Sequence, residues 1–272
     1  MEIKGKVALV TGAGSGIGAA AATELAVRGV RSLVLIDRSK TVDDVARGIN
    51  DRVGQQQAIS FAGDVTDAEF RRHVYDEVER RGNVVQICVP AAGITRDALS
   101  VKLDKTTGKA QIYPIEQFRE VQEVNLIAPA YWALEMVARI AEDRHRRGVG
   151  KWDSVREKLQ GTVVFIGSVS SQGNKGQIAY AATKRGLEGV ASTLMKEAIY
   201  YGVKCAVIHP GFTDTPMVRA LGEEYIEKYI LPQTQLHRLI RPDEIASAIC
   251  FLIHNSAVSG ELWADAGWHP SA

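Results

Sequence analysis

Residues 7–18 read Val-Ala-Leu-Val-Thr-Gly-Ala-Gly-Ser-Gly-Ile-Gly, a short apolar run that leads directly into a glycine-rich turn. The alanine-rich stretch that follows predicts a helix near 16–28. In this arrangement Gly12 makes the turn, Gly16 allows close approach, and Gly18 lets the helix pack on the sheet. Backbone N–H groups in such a turn approach a pyrophosphate, with the positive end of the helix dipole behind them. The stretch therefore predicts the first strand and helix of a nucleotide-binding unit.

The rest of the chain repeats this alternation of short β-branched runs and longer segments with helical periodicity. Helices are predicted near 16–28, 41–53, 67–81, 116–142, 178–200 and 242–254. The predicted strands are Val7–Thr11, Ser32–Asp37, Ala58–Phe61, Val84–Val89, Thr162–Ile166, Val203–His209 and Glu261–Ala264. Most of these strands are apolar on both faces, which is typical of a parallel sheet covered by helices on each side. No repeat or linker divides the chain, so we predict an α/β fold and a single domain over residues 1–272.

Two stretches interrupt the alternation. Residues 94–115 alternate polar and apolar side chains around Thr-Thr-Gly, which predicts a small hairpin or an ordered loop. Residues 143–161 are rich in charge and are interpreted as a solvated extension of helix and turn. The alternative for the second stretch is a basic docking patch, formed by residues 144–147, although nearby acidic residues dilute it.

Composition excludes several classes of protein. The 272 residues include 46% hydrophobic and 24% charged side chains, as in ordinary globular proteins. A net charge of +1 argues against binding to nucleic acid by phosphate neutralisation. The three cysteines are far apart and in apolar surroundings, which favours a reducing compartment. With charges near Met1 and no apolar run of bilayer length, we expect a cytoplasmic protein without a membrane segment.

Asp37 suggests which nucleotide is bound. It ends the second predicted strand and lies 19 residues beyond Gly18, close to the spacing of the acid that binds an adenosine ribose. A 2′-phosphate would bring negative charge against this carboxylate, so the position favours NAD over NADP. Arg38 is the one nearby cation in the sequence that could reach such a phosphate.

Tyr180 and Lys184 are the candidates for proton transfer. They are four residues apart on a predicted helix and therefore share one face. A lysine ammonium near the phenol would lower its pKa and make it a better base at neutral pH. By themselves the two residues would be read as unconnected side chains on a surface helix. Ser168, which closes the fifth predicted strand, precedes Tyr180 by 12 residues and could hold a substrate oxygen beside it.

Taken together, these motifs resemble the short-chain dehydrogenase/reductase family over the whole chain. The family's glycine motif is matched by Thr11, Gly12, Gly16 and Gly18, and its Asp-Val segment by Asp64-Val65. Where the family has Asn-Asn-Ala-Gly, this chain has Pro90-Ala91-Ala92-Gly93 and so lacks two amide side chains. The family's Pro-Gly-x-x-x-Thr motif is matched at 210–215. The resemblance implies a Rossmann-like doubly wound parallel sheet of about seven strands, with a mobile lid at about 211–240. It also implies a homotetramer, with a dimer as the fallback, because the helices at 116–142 and 178–200 pair across subunits in this family.

The resemblance also implies the site residues. The catalytic set is Asn125, Ser168, Tyr180 and Lys184, in which Asn125 would support a water-linked proton path to Lys184. The cofactor-binding set is Thr11, Gly12, Ser15, Gly16, Ile17, Gly18, Asp37, Arg38, Asp64, Val65, Ala91, Ala92, Gly93, Tyr180, Lys184, Pro210, Gly211, Thr213 and Thr215. Lys184 would lower the pKa of Tyr180 and hold the nicotinamide ribose.

The expected activity is interconversion of a secondary alcohol and a ketone with NAD(H). One alternative is a 3-oxoacyl-thioester reductase acting on carrier-protein or coenzyme A thioesters, because Gly93-Ile-Thr-Arg-Asp97 resembles the corresponding stretch of those enzymes. Another is a dinucleotide-loaded binding protein with little turnover. The six histidines are scattered with no metal-ligand spacing, so the sequence predicts no metal site, and His209 is expected to end a strand beneath the cofactor.

Overall fold

The computed structural model describes residues 1–268 and contains a central sheet of seven parallel strands. The strands are β1 (Val7–Thr11), β2 (Ser32–Asp37), β3 (Ala58–Ala62), β4 (Ile87–Pro90), β7 (Gly161–Ile166), β8 (Val203–Pro210) and β9 (Gly260–Ala264). Their order is β3-β2-β1-β4-β7-β8-β9. This is the Rossmann-like doubly wound sheet expected from the sequence. The predicted domain, 1–272, includes residues 269–272, which lie outside the described residues.

Helices cover both faces of the sheet. The α-helices of the described residues are α1 (Gly16–Val27), α2 (Thr41–Val53), α3 (Ala68–Arg80), α4 (Ile115–Gln122), α5 (Ala128–Arg146), α6 (Ile178–Ala198), α7 (Pro216–Arg219), α8 (Glu223–Tyr225) and α9 (Pro242–His254). Of these, α7 and α8 belong to the region at 211–240 and do not cover the sheet. Leu25, Ile49 and Ile249 belong to the core on one face, and Trp132 and Leu187 to the core on the other. The sheet is therefore packed between two buried hydrophobic cores, as its apolar strands predict.

Two predicted boundaries are wrong. The helix predicted at 116–142 is divided by a π-helical turn, Glu123–Ile127, between α4 and α5. The physical reason is Pro129, which lacks the N–H that would bond to the carbonyl of Asn125 four residues earlier. The fourth strand starts at Ile87 rather than Val84, because its pairing with β1 begins at Ala8–Ile87.

The first interrupting stretch contains an antiparallel hairpin, formed by β5 (Val101–Leu103) and β6 (Ala110–Ile112). It projects from the domain, and the side chains of Val101, Leu103 and Ile112 are exposed. A hairpin is one of the two forms that the sequence predicts for this stretch. The two ends of the hairpin are adjacent, because Tyr113 N donates a hydrogen bond to Ser100 O at 2.9 Å.

The second stretch continues α5 to Arg146 and then turns back to the sheet. Arg144 is buried and its guanidinium bonds Glu157 Oε2 at 2.6 Å and Oε1 at 3.0 Å. Arg147 pairs with Asp143 at 2.8 Å. The docking-patch alternative is therefore wrong for Arg144, because this guanidinium is directed inwards to the segment that follows its helix.

The region predicted as a lid packs on a small core of its own. Ile226, Ile230 and Leu239 are buried together, with Phe212 and Val218 against them. Thr213 joins this region to residue 240 by an isolated parallel bridge. Among residues 1–268, no helix combines the length and the apolar character needed to cross a membrane.

Candidate active site

A cleft of about 510 Å³ opens at the carboxyl ends of the strands, beside the point where the chain order reverses between β1 and β4. This is the position at which ligands bind in open α/β sheets. Most of the predicted cofactor set lines it: Gly12, Ser15, Gly16, Ile17, Gly18, Asp37, Arg38, Asp64, Val65, Ala91, Ala92, Gly93, Tyr180, Lys184 and Thr215.

The glycine-rich turn forms a backbone cradle that side chains would fill. Gly12 has φ +65°, and a Cβ there would lie 2.7 Å from the backbone of Ala92. Gly16 has φ +54°, and its Cβ would meet the Thr215 side chain at 3.0 Å. A Cβ on Gly18 would overlap the carbonyl oxygen of Gly12. The turn is thus shaped for a ligand that approaches the backbone closely, and its place at the start of α1 suits the phosphates of a dinucleotide.

Asp37 ties the second strand to this turn. Its Oδ2 accepts a hydrogen bond from Gly14 N at 2.9 Å, and its Oδ1 accepts one from Ser39 N at 2.9 Å. A Cβ at Gly14 would lie 2.9 Å from the Asp37 carboxyl carbon. The carboxylate is therefore fixed at the cleft wall, while the Arg38 side chain beside it is exposed.

Asp64 and Val65 form the next part of the wall. Asp64 Oδ1 accepts hydrogen bonds from Thr66 N at 2.9 Å and Thr66 Oγ1 at 2.8 Å, and these bonds lower the pKa of Asp64. Trp132 Nε1, buried in the core, donates to Val65 O at 2.9 Å. The segment that would face an adenine ring is thus fixed from below by α5.

Tyr180 and Lys184 meet at the other end of the cleft, at the start of α6. Lys184 Nζ lies 5.4 Å from the centroid of the Tyr180 ring and donates to Ile166 O at 2.8 Å. Burial lowers the pKa of Lys184 to about 8. Ser168 Oγ accepts from Ser170 N at 3.1 Å, and a hydrogen bond between the Ser168 and Tyr180 side chains lowers the tyrosine pKa. The three predicted groups therefore share one site.

The direction of the Tyr180 shift corrects the sequence-based expectation. We expected Lys184 to lower the pKa of Tyr180, but burial dominates and raises this pKa to about 12. The bond from Ser168 opposes the rise without cancelling it. The physical reason is that the protein around the phenol replaces part of its water, which disfavours the charged phenolate. At neutral pH the tyrosine is therefore a proton donor.

Asn125 is fully buried in the π-helical turn, a type of distortion that is frequent at functional sites. Its carboxamide forms two hydrogen bonds with the backbone of Ile94, accepting from N at 2.8 Å and donating to O at 2.8 Å. A Cβ at Gly93 would lie 3.5 Å from Asn125 Oδ1 and 4.0 Å from Lys184 Nζ. Asn125 thus holds the strand-end loop beside Lys184, and the direct contacts of its carboxamide are with backbone.

Some predicted site residues are not part of the lining of this cleft: Thr11, Asn125, Ser168, Pro210, Gly211 and Thr213. Thr11 Oγ1 accepts from Ala92 N at 3.2 Å, and Thr213 Oγ1 donates to Gly211 O at 3.1 Å. A Cβ on Gly211 would lie 2.7 Å from the carbonyl oxygen of Asp265. Thr11 and Thr213 therefore support the wall, because their hydroxyl groups are hydrogen-bonded within the protein.

Other residues line the cleft without having been predicted: Gly63, Thr66, Ile94, Glu120, Glu123, Val124, Ile166, Pro216 and Met217. Gly63 and Thr66 flank Asp64-Val65, and Ile94 follows Gly93, so adjacency to the motifs could have indicated them. Neither Glu120 nor Glu123 is adjacent to a recognised motif, so the sequence does not indicate that they line the cleft. They reach the cleft because α4 and the π-helical turn run along its edge, and Glu120 also pairs with Arg96 at 2.6 Å.

Comparison with known proteins shows the family of this chain. The family model for short chain dehydrogenase matches residues 6–226. The 3-oxoacyl-[acyl-carrier-protein] reductase of Escherichia coli is 33% identical over 264 residues, covering 96% of each chain. The acetoacetyl-CoA reductase of Synechocystis is 31% identical over 273 residues, covering 99% of this chain and 98% of that protein.

Among solved structures, a short-chain type dehydrogenase/reductase from Mycobacterium marinum superposes with a TM-score of 0.83. It is 23% identical and covers 99% of this chain and 98% of its own, and at that identity it supports the fold alone. The match of the family model to most of the chain, and the identity with the two curated reductases, lead to one conclusion: this protein belongs to the short-chain dehydrogenase family of oxidoreductases.

Proposed function

We propose that the protein interconverts a secondary alcohol and a ketone, and that its preferred ketone is a 3-oxoacyl thioester. The observation that carries the proposal is the grouping of Tyr180, Lys184 and Ser168 at one end of a cleft whose other end carries the glycine cradle and Asp37. This arrangement joins a proton donor to a dinucleotide-shaped site, which is what carbonyl reduction requires.

Tyr180 is the proposed acid in the reducing direction. Its pKa, raised to about 12 by burial, keeps the phenol protonated at neutral pH. The phenolic proton passes to the carbonyl oxygen of the substrate as hydride reaches the carbonyl carbon. A bound nicotinamide dinucleotide would supply that hydride. Because Ser168 Oγ accepts from Ser170 N, its own hydrogen remains to bond Tyr180 or the substrate oxygen.

Lys184 is the proposed link between the proton donor and the cofactor. One N–H of its ammonium is used on Ile166 O, which leaves two donors for ribose hydroxyls at the cleft. Asn125 holds Ile94, and with it the loop that carries Gly93, on the other side of Lys184. We therefore assign Lys184 a direct role and Asn125 a positioning role.

The substrate class is supported by similarity. Two relatives at 33% and 31% identity bear names of 3-oxoacyl and acetoacetyl thioester reductases. The stretch Gly93-Ile-Thr-Arg-Asp97 begins at the cleft, which Gly93 and Ile94 line. Farther along it, Arg96 pairs with Glu120, and Asp97 Oδ2 accepts from Gln177 Nε2 at 2.7 Å. The hairpin β5–β6 adds length beside this stretch. We propose that it favours free or coenzyme A-linked ketones over those carried on a protein.

The proposed cofactor is NAD(H), in preference to NADP(H). The Asp37 carboxylate is held at the cleft by Gly14 N and Ser39 N, where it can accept hydrogen bonds from ribose hydroxyls. A 2′-phosphate would add about two negative charges beside it, which is unfavourable unless a cation intervenes. Arg38 is exposed next to Asp37 and is the cation that would soften this preference.

We also propose that the protein works as a cytoplasmic homotetramer, with a dimer as the fallback. The thiols of Cys88, Cys205 and Cys250 are unpaired and buried, which suits a reducing compartment. Tyr131 and Leu134 on α5 expose apolar surface that a second subunit would cover.

A substrate panel tests the proposed activity. Initial rates with NADH would be measured on acetoacetyl-coenzyme A, an acyl-carrier-protein thioester, a sugar ketone and a steroid-like ketone. We expect the highest kcat/KM on the coenzyme A thioester. Tyr180→Phe should lower turnover by at least about 10²-fold while NADH binding stays nearly unchanged, because only the transferable proton is removed.

Two outcomes would contradict the proposal. Near-normal turnover in Tyr180→Phe would exclude this tyrosine as the acid. Tight NADH binding without turnover on any member of the panel would favour the alternative of a dinucleotide-binding scaffold.

A further inference from the structure

Outside the cleft, three metal-ligating side chains meet behind the catalytic end of the sheet. They are Glu188 on α6, His209 on β8 and Glu261 on β9, and one ligand atom from each lies within 4.8 Å of the others. His209 Nε2 is 3.4 Å from Glu261 Oε2 and 3.8 Å from Glu188 Oε1. The sequence predicted no metal site because its histidines lack ligand spacing, but here the tertiary fold brings the donors together.

Two atoms of this cluster, one on His209 and one on Glu188, lack a hydrogen-bond partner in the described part of the chain. His209 is fully buried, yet its Nε2 has no hydrogen bond within residues 1–268. The Glu188 side chain is 9% exposed, and its Oε1 is likewise without a hydrogen-bond partner in the described part of the chain. Its other oxygen, Oε2, is used by Arg185 at 2.6 Å. A buried donor set left unpaired in this way is costly unless a ligand satisfies it.

The imidazole ring is held in a ligating orientation. It stacks on Trp263, with centroids 4.2 Å apart and planes inclined by 13°. Gly167 makes room for it, since a Cβ there would lie 2.6 Å from His209 Nδ1. Nδ1 lies 3.2 Å from Ser168 O and 3.3 Å from Ser168 N. In the tautomer that carries its hydrogen on Nδ1, the ring donates to the carbonyl and Nε2 is left as the free ligand atom. Metal-binding histidines are commonly oriented by such a bond to a backbone carbonyl.

We propose that Glu188, His209 and Glu261 form a site for a divalent transition-metal ion, with Zn²⁺ as the best fit. One imidazole and two carboxylates are ligands that zinc takes, and three protein ligands leave a fourth position for water. Two ligands about 2.1 Å from a tetrahedral ion lie about 3.4 Å apart, which matches the spacing of His209 Nε2 and Glu261 Oε2.

The site would connect to the proposed chemistry through Ser168. An ion on Nε2 places the imidazole proton on Nδ1, where it donates to the Ser168 carbonyl. In the single chain Glu261 is 40% exposed, which gives the ion a route from solvent before subunits associate. The ion would therefore hold α6, β8 and β9 together next to the serine that orients the substrate.

Isothermal titration calorimetry with ZnCl₂ on the chelator-treated full-length protein tests the site. We expect one Zn²⁺ per chain. Glu188→Gln and Glu261→Gln should each weaken binding by at least about 100-fold, because loss of a ligand costs no less than loss of a supporting contact. Glu197→Gln, an exposed glutamate on the same helix, is the matched control and should bind as the wild type does. Sedimentation of each variant checks that its assembly is unchanged.

The choice of ion gives a second readout. Affinity should follow Zn²⁺ > Co²⁺ > Mn²⁺, and Mg²⁺ should not compete, because an imidazole donor favours the later transition metals. The Co²⁺ form should show the strong visible absorption of a four-coordinate ion, and the thermal midpoint should rise with Zn²⁺ in the wild type and not in Glu261→Gln.

Either of two results overturns the proposal: no Zn²⁺ binding at millimolar concentration, or binding that both glutamate variants retain. The second result would assign the ion to surface histidines such as His254. His209→Gln adds a third test if it folds, and the exposed position of Glu261 on an edge strand keeps the experiment decisive if it does not.

Discussion

At the scale of single residues, Asp37 is expected to control the choice of dinucleotide. The wild type should favour NADH over NADPH by at least about tenfold in kcat/KM, which is about 1.4 kcal/mol. Asp37→Ser should narrow this gap, because it removes the repulsion of a 2′-phosphate while Arg38 remains. Steady-state kinetics with both cofactors measure the effect, and Asp44→Ser, an exposed acid on α2, is the control. Parity in the wild type would show that Arg38 dominates instead.

The lowered pKa of Lys184 predicts that kcat/KM for NADH depends on pH. Burial disfavours its ammonium, so its pKa is lowered to about 8 and its proton is lost as the pH rises through that value. We expect kcat/KM for NADH to be level at neutral pH and to fall above about pH 8, since this parameter reports the free enzyme.

Lys184→Arg tests the assignment of that fall. A guanidinium stays charged above pH 12, so the fall near pH 8 should disappear even though the overall rate is lower. A fall that persists in Lys184→Arg, or that lies near 10.5 in the wild type, would contradict the role of the buried ammonium.

At the scale of elements, α5 connects the core to the cleft through Trp132. Its ring packs beside Tyr75, with centroids 5.8 Å apart, and its Nε1 donates to Val65 O. Trp132→Phe should lower the free energy of unfolding by about 1–3 kcal/mol, because a buried carbonyl loses its partner and a small cavity forms. Urea unfolding measures this loss. Tyr131→Phe, at a half-exposed neighbouring position, should change stability by less than about 0.5 kcal/mol.

The hairpin β5–β6 is the second element with a predicted effect. Ser100 and Tyr113 are already hydrogen-bonded across its base, so residues 101–112 can be replaced by Asn-Gly to give a two-residue turn. If the hairpin limits access, the shortened protein should gain about tenfold in kcat/KM on a carrier-protein thioester, or about 1.4 kcal/mol of transition-state binding. Its activity on the coenzyme A thioester is the internal control. Equal gains on both substrates would exclude selective gating.

At the scale of the whole molecule, large apolar side chains are exposed on two groups of elements. Ile127, Tyr131 and Leu134 lie along the π-helical turn and α5, and Phe251 and Trp263 lie on α9 and β9. Two self-complementary surfaces per chain suffice to build a tetramer that is a dimer of dimers. Sedimentation velocity at micromolar concentration should therefore give a tetramer.

A charged side chain on one surface tests this assembly. Leu134→Asp should convert the tetramer to dimers, because a carboxylate would be buried without a partner at that interface. Val155→Asp, at a fully exposed position in the 143–161 segment, should leave the tetramer intact. A wild type that sediments as a single chain would refute the prediction.

The sequence by itself determined the order of the elements and the class of fold. Glycine spacing and apolar periodicity are local properties, and they predicted α2 and α9 at their observed bounds and the seven strands with small errors at their ends. They also identified Asp37, Tyr180 and Lys184, which the structure places at the cleft. A local sequence pattern can predict the position of these residues because a strand end or a helix face is determined by residues that are neighbours in the chain.

Only the tertiary structure decided how those residues are used. Burial, which depends on every element packed around Tyr180, set the direction of its pKa shift against the expected effect of Lys184. Thr11 is hydrogen-bonded within the wall, because its partner Ala92 N comes from the loop after β4, and Thr213 is bonded to Gly211 O in its own loop. The metal-ligating cluster forms because β9 pairs with β8 in the sheet and α6 packs on β8, which brings Glu188, His209 and Glu261 together. No spacing along the chain encodes that proximity.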